Sequence, residues 1–319
     1  MDNRTVRHIG RTDILRGTGI TCLIFLLSVH IPVIGFFVSL LIPLPILFCR
    51  IKLGRKNGGT VFALSLLITF LSLGSISFDV LYFAGLMLLG FVLAEMSEKK
   101  LTVEQTVLRT AGIVAAFAAV CLFFYSSSAD KDIGTVVSEY VALNLEHTVK
   151  LYRDMGVPED TLQMVSDSRD AIHYGLVRII PAITASALLF LTWLVLLTSK
   201  PLMNAGKLPW PDFGALTMWK VPEILVWGVI GCGLMLMVPD TLIRIIAFNG
   251  LIVLMTVYFF GGIAIVAFYF EKKQFSPMLK VFFYSMIALW HMALILVIGL
   301  GFFDMWLNFR KSETGGANG

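Results

Sequence analysis

The chain returns again and again to stretches of about 20 apolar residues, the length a helix needs to cross ~30 Å of hydrocarbon. Such runs occupy roughly 14–31, 33–49, 60–76, 78–94, 107–125, 172–198, 222–238, 243–269 and 281–303. Several fall short of ~20 residues, which suits tilted, re-entrant or tightly paired segments. The breaks VHIPV and LGSISF are too short for anything but tight helical hairpins. Inside a bilayer the backbone must satisfy its own polar groups, so apolar runs of this length are read as helices. The expected fold is all-α, a polytopic transmembrane bundle of eight or nine membrane-spanning helices. Composition agrees, since 57% of the 319 residues are hydrophobic and 14% are charged, against about 25% charged in soluble domains. One transmembrane domain is expected over 1–311, with a short disordered tail at 312–319.

Basic residues collect in alternate loops. With the N-terminus in the cytoplasm, seventeen of the 25 lysines and arginines fall on the inner side, among them Arg50, Lys52, Arg55, Lys56, Lys99, Lys100, Lys272 and Lys273. Retained positive charge marks the cytoplasmic face, so the expected location is a bacterial inner membrane with the N-terminus inside. Arg310 and Lys311 dissent, and eight spans with the C-terminal end inside is the alternative. The basic head and apolar body of the first run resemble a signal peptide, but no small-residue cleavage site follows. The run is expected to stay as the first span.

A long hydrophilic segment, about 126–171, interrupts the apolar pattern and carries nine acidic residues. Val137, Val141, Leu145 and Val149 recur at every fourth position, as an amphipathic helix requires. Pro158 in GVPED is well placed to start a second helix. This insert is expected outside the cytoplasm, either as a surface helical hairpin or as a lid over an outward-facing cavity. The segment KLPWPDFGALTMWKVPE sets Trp210, Phe213 and Trp219 among prolines and lysines, the composition of a loop at headgroup level.

Nothing in the chain matches a phosphate-binding glycine loop, a zinc-protease helix, a nucleophile elbow or a dinucleotide fingerprint. The five histidines are scattered, and the four cysteines, Cys22, Cys49, Cys121 and Cys232, lie in or beside apolar runs with no Cys-x-x-Cys spacing. Neither a metal centre nor a disulfide framework follows. No cofactor, no nucleic-acid partner and no catalysis are expected. The expected partners are the lipid bilayer, a small-molecule ligand and a membrane protein.

Polar groups within apolar runs carry the functional signal, because charge in hydrocarbon must be paired or face a cavity. Arg178 sits two turns into the sixth run, three residues before Pro181, which should free a backbone carbonyl. Asn249 lies in the eighth run and His291 near the middle of the ninth. If their helices are neighbours, these three form a site for an anionic or amide-bearing small molecule. Otherwise Arg178 snorkels to the interface while Asn249 and His291 make interhelical hydrogen bonds. Ala111, Ala115 and Ala119 repeat at every fourth position of the fifth run, a spacing that lets helices approach closely within the bundle or against a partner subunit. Pro43 and Pro45 should kink or end the second run.

The chain's last apolar run closes with GLGFFDMWLNFRK. On a continuous helix Asp304, Asn308 and Lys311 share one face, while Trp306 and Arg310 share another and can stack. Together with FNGLIVLMTVYFFGGIAIVAFYFEKKQFSP, this stretch resembles the C-terminal signature of the YybS-like bacterial membrane proteins, the domain of unknown function 2232. Gly262, Asp304, Trp306 and Arg310 carry the resemblance, and PLPILFCRIKLGRKNGG is similar to that family's early proline-containing helix and basic loop. Gly261 stands where the resemblance leads one to expect glutamine. The family's remote kin include the substrate-binding subunits of energy-coupling-factor transporters and MreD-type cell-shape proteins. The first kinship implies a compact bundle with an outward-facing pocket, docked through an Ala-x-x-x-Ala face near the N-terminus. Here the first run has GTGIT and the alanine stripe lies on the fifth. The second kinship implies a non-catalytic envelope scaffold.

Overall fold

The structure, a computed structural model, describes residues 11–31, 34–74 and 77–310. The expectations for Lys311 and for a tail at 312–319 lie outside the described residues. All the regular elements among those described are helical, and by contact they divide into two units, 1–136 with 187–212 and 137–186 with 213–319.

In the first unit, α1 (Arg11–His30) packs on the short α2 (Ile34–Ser39) and on α3 (Pro43–Leu73). Pro43 and Pro45 begin α3 instead of kinking it, because the first turn of a helix has no use for its N–H groups. The interruption comes later, at Gly54, whose φ of 80° and ψ of 176° only glycine adopts without strain. There the chain doubles back so tightly that a Cβ on Gly58 would lie 2.6 Å from the Arg50 Cα. The two apolar runs at 33–49 and 60–76 are thus separate arms joined at a bend.

Next, α4 (Phe78–Ser97) starts from Ser77, whose side chain accepts the Val80 N–H. It packs on both α3 and α5 (Val103–Ser128) and is the most buried of the long helices. It crosses α3 at Gly90, where a Cβ would fall 2.2 Å from the Pro43 carbonyl oxygen. On α5 the buried stripe is Val103, Thr106, Val107, Thr110, Ala111 and Val114. A strict four-residue repeat drifts around a 3.6-residue helix, so Ala111 is buried while Ala115 and Ala119 have turned to the exposed side.

The hydrophilic insert in the second unit is helical, as α6 (Ile133–Asp154) and α7 (Glu159–Asp167), with Val141 and Leu162 buried. After them come the first half of α8 (Arg169–Ala205), a single 3-10 turn at Leu216–Met218, and α9 (Leu225–Leu236). The unit is completed by α10 (Thr241–Lys272), α11 (Pro277–Leu289) and α12 (His291–Leu307). Backbone meets backbone where α10 crosses α12. A Cβ on Gly262 would lie 1.9 Å from the Val297 carbonyl oxygen, and one on Gly301 would lie 2.0 Å from that of Tyr258.

Where the sequence shows eight or nine spans, six described helices are long and apolar enough to cross a membrane, or seven if α11 and α12 count as one. That count takes the two arms about Gly54 together; beyond it, α9 has only 12 residues and the last run breaks at Trp290. Gly262→Ala should weaken the fold by about 1–3 kcal/mol, the usual cost of overpacking. Gly299→Ala meets nothing within 4 Å and should be neutral or slightly stabilising. Thermal denaturation of the two variants in one detergent compares them directly.

Candidate functional site

In the second unit, α6 and the start of α8 enclose an open cavity of about 380 Å³, lined by Ser138, Asp170, His173, Tyr174, Val177 and Arg178. His173 Nε2 lies 3.0 Å from the Ser138 carbonyl oxygen and 3.2 Å from its hydroxyl. A carbonyl can only accept, so Nε2 carries the proton. Arg178 reaches back one turn, as long side chains on a helix do. Its Nη1 donates to the Tyr174 carbonyl at 3.1 Å, and the guanidinium stacks 3.2 Å from the centre of the Tyr174 ring. No carboxylate pairs with Arg178 among the described residues. A half-buried cation, a protonated histidine nitrogen, two hydroxyl side chains and one carboxylate therefore border the same space.

Asn249 comes to this helix from α10 and is taken up in a different way. Its Oδ1 accepts the Ala182 N–H at 3.0 Å, and its Nδ2 donates to the Arg178 carbonyl at 2.9 Å and the Ile245 carbonyl at 2.8 Å. Residues 178 and 182 are the two ends of one rung in the helical ladder, and Pro181, which has no N–H, lies between them. The carboxamide splices α10 into α8 beside the rung between 177 and 181 that Pro181, without an N–H, cannot make. Arg178 and Asn249 are thus brought together through the backbone of residue 178 and not through two side chains facing a ligand. His291 opens α12 and is exposed; among the described residues no hydrogen bond joins its ring to Arg178 or Asn249.

The residues of the closing stretch form a separate cluster. Asp304 and Arg310 are both buried and form an ion pair. Arg310 Nη1 also donates to the carbonyls of Thr217 at 2.9 Å and Trp219 at 2.6 Å, while Asp304 Oδ1 accepts the Phe309 N–H at 3.0 Å. The expected faces at 304–310 do not form, because α12 stops at Leu307 and Asn308 turns left-handed with φ 45° and ψ 59°. That turn brings Arg310 back onto Asp304. Trp306 is exposed and packs on Phe302 and Phe303, not on Arg310. Gly261 has no room for a side chain, since its Cβ would lie 2.6 Å from Val221 Cγ2. A glutamine there would need that space.

One constellation escaped the sequence reading. Arg50, nearly inaccessible, donates to Glu95 at 2.7 Å and to Glu98 at 2.9 and 3.1 Å, and Arg55 lies 3.5 Å from Glu95. Lys52 pairs with Asp13 at 3.0 Å. Each residue sits at the end of an apolar run and so looks like an ordinary interfacial charge. The clue was the Glu95–Glu98 spacing, which sets two carboxylates on one helix face.

The geometry is that of a membrane-embedded helical protein, and the comparison with known families agrees. A family described as "Predicted membrane protein (DUF2232)" matches residues 19–305. The chain belongs to this family. No curated protein and no solved structure matches it.

Two outcomes test these clusters as structural joints. Asn249→Ala leaves the break at Pro181 unspliced and should cost about 1–3 kcal/mol, read as a lower melting temperature in detergent. Removing one partner of a buried ion pair costs more than removing both. Arg310→Met should therefore destabilise more than the double variant Asp304→Leu, Arg310→Met, by the same assay.

Proposed function

We propose that this member of the DUF2232 family is a small-molecule binding or transport subunit of a bacterial inner membrane, with its N-terminus in the cytoplasm. The ligand meets Arg178 in the cavity between α6 and α8. The observation that carries this reading is the cation itself. Arg178 is stacked and held in place on Tyr174, yet among the described residues most of its N–H groups have no acceptor. A guanidinium kept ready beside a cavity suits a carboxylate or phosphate. Ser138 and Tyr174 add hydroxyls, while Asp170 favours a ligand that also carries a donor. In this role α6 and α7 serve as the outer cover, and Asn249 holds the backbone of residue 178 without touching the ligand.

The side assignment draws on the first unit. Lys52 with Asp13, and Arg50 with Glu95, tie the start of α1, the bend of α3 and the end of α4 to one end. Those are three of the basic stretches that the positive-inside rule sets in the cytoplasm. The resemblance to substrate-binding subunits of energy-coupling-factor transporters points the same way.

A second reading, a scaffold of MreD type, has its own observation. Ala115 and Ala119, with Val120, Phe123 and Phe124, leave the second half of α5 exposed on one side. Small residues beside large ones suit close docking of a partner helix.

Native mass spectrometry of protein extracted gently from its own membrane distinguishes the two. A small adduct that disappears in Arg178→Ala, with the fold intact, is the expected result. A stoichiometric protein partner with no small adduct would transfer the assignment to the scaffold.

A further inference from the structure

We infer that α11 and α12 form a re-entrant hairpin, entering and leaving the membrane at one face, with the apex Trp290–His291 lining a water-filled recess at bilayer depth. This goes beyond the ligand reading and does not depend on it.

The lengths come first. The two arms have 13 and 17 residues, about 20 Å and about 25 Å of helix, each short of the ~30 Å hydrocarbon core. Their axes bend by 100° at a one-residue break.

The side-chain contacts give the directions. The first turns of α11 fold back onto the end of α10: Phe270 packs on Phe275, Phe283 and Tyr284 with ring centres 5.2–5.6 Å apart. Further down, Ile287, Ala293 and Val297 form a cluster with Phe259, Ile263 and Val266, one to three turns earlier on α10. The return path is equally clear. After the crossing at Gly262 and Gly301, α12 ends beside the C-terminal end of α10. There the Tyr269 hydroxyl donates to the Phe309 carbonyl at 2.8 Å. Thr217 donates to Glu271 at 3.3 Å, and Arg310 holds the carbonyls of Thr217 and Trp219. A helix crossing to the far side would leave Phe309 near the start of α10, some 40 Å from Tyr269 along the axis by helix rise.

The apex then needs water. Trp290 leaves the helical region with φ −107° and ψ 109°, and no side chain caps the start of α12. The first N–H groups of a helix have no partner within it. Trp290 and His291 are exposed, so protein does not cover them. Irregular backbone at membrane depth persists only inside protein or along a water-filled cavity. Re-entrance also removes the charge dissent, because Arg310 then shares a face with Lys272, Lys273 and Lys280.

Single cysteines placed in a background lacking the four native ones test this, with a membrane-impermeant thiol reagent applied from each side of oriented vesicles. Lys273→Cys and Ser312→Cys should be labelled from the same side, and His291→Cys should react more slowly than either but measurably. Labelling of Lys273→Cys and Ser312→Cys from opposite sides would overturn re-entrance. A His291→Cys that reacts only after denaturation would overturn the water-filled apex. If the cysteine variants do not fold, reporter fusions ending at 275 and at 319 give the same topological answer: like signals support the hairpin, and opposite signals refute it.

Discussion

Most of this structure follows from one constraint, that a backbone surrounded by hydrocarbon has to find all its hydrogen bonds within the protein. Uninterrupted helix meets it at no cost, so the informative places are the interruptions. There are three of note, at Gly54, Pro181 and Trp290, and each is handled differently. At Gly54 the chain bends beside the charged end of the first unit, where Arg50, Glu95 and Glu98 are joined. Beside Pro181, which cannot bond the carbonyl of residue 177, an asparagine from another helix accepts the Ala182 N–H and donates to the Arg178 carbonyl. At Trp290 no side chain does the equivalent work, which makes solvent the remaining source of partners.

The same constraint governs the buried charges. An arginine taken out of water is tolerated only when its hydrogen bonds are replaced. Arg50 finds two carboxylates on one face of α4, and Arg310 finds Asp304 and two carbonyls. Both act as fasteners, drawing together segments that meet at one end of their unit. Arg178 is the contrast. Its aromatic stacking and single carbonyl contact hold it in position but leave most of its donors unused. The first two arginines are buried and joined to structure, while the third is half-buried beside a cavity with donors facing it.

Much of this was legible in the residues. Run length and polarity gave the all-helical membrane class, the period of Val137, Val141, Leu145 and Val149 gave an amphipathic α6, and Pro181 marked a real weak point. The roles of the polar residues within the apolar runs depend on which helices are neighbours. Asn249 reads from sequence either as a ligand contact or as an interhelical hydrogen bond, and it bonds the backbone of α8. On α5 the alanine spacing does not keep to one face, since a repeat of four drifts around a 3.6-residue helix: Ala111 is buried while Ala115 and Ala119 are exposed. Near the C-terminus, the faces predicted for Asp304, Trp306, Asn308 and Arg310 assumed a helix running past Leu307. A single left-handed residue, Asn308, undid that assumption, and no short-range pattern announced it.

That left-handed turn also explains why the C-terminal signature has its particular order. A helix that crosses a membrane is held in register by hydrocarbon on its flanks and water at both ends. One that turns back half-way lacks the second anchor and has to be fastened where it emerges. Six residues separate Asp304 from Arg310, too far for adjacent turns of a continuous helix but right for a chain folding back through Asn308. The fold-back carries Arg310 onto the carbonyls of 217 and 219, and Lys220 reaches Asn308 Oδ1 at 2.7 Å. Glycines at 262 and 301 let α12 lie close enough to α10 for those contacts to form. The aspartate, asparagine and arginine of the closing stretch are therefore parts of one clasp, and the two glycines upstream set the helix distance at which it can shut.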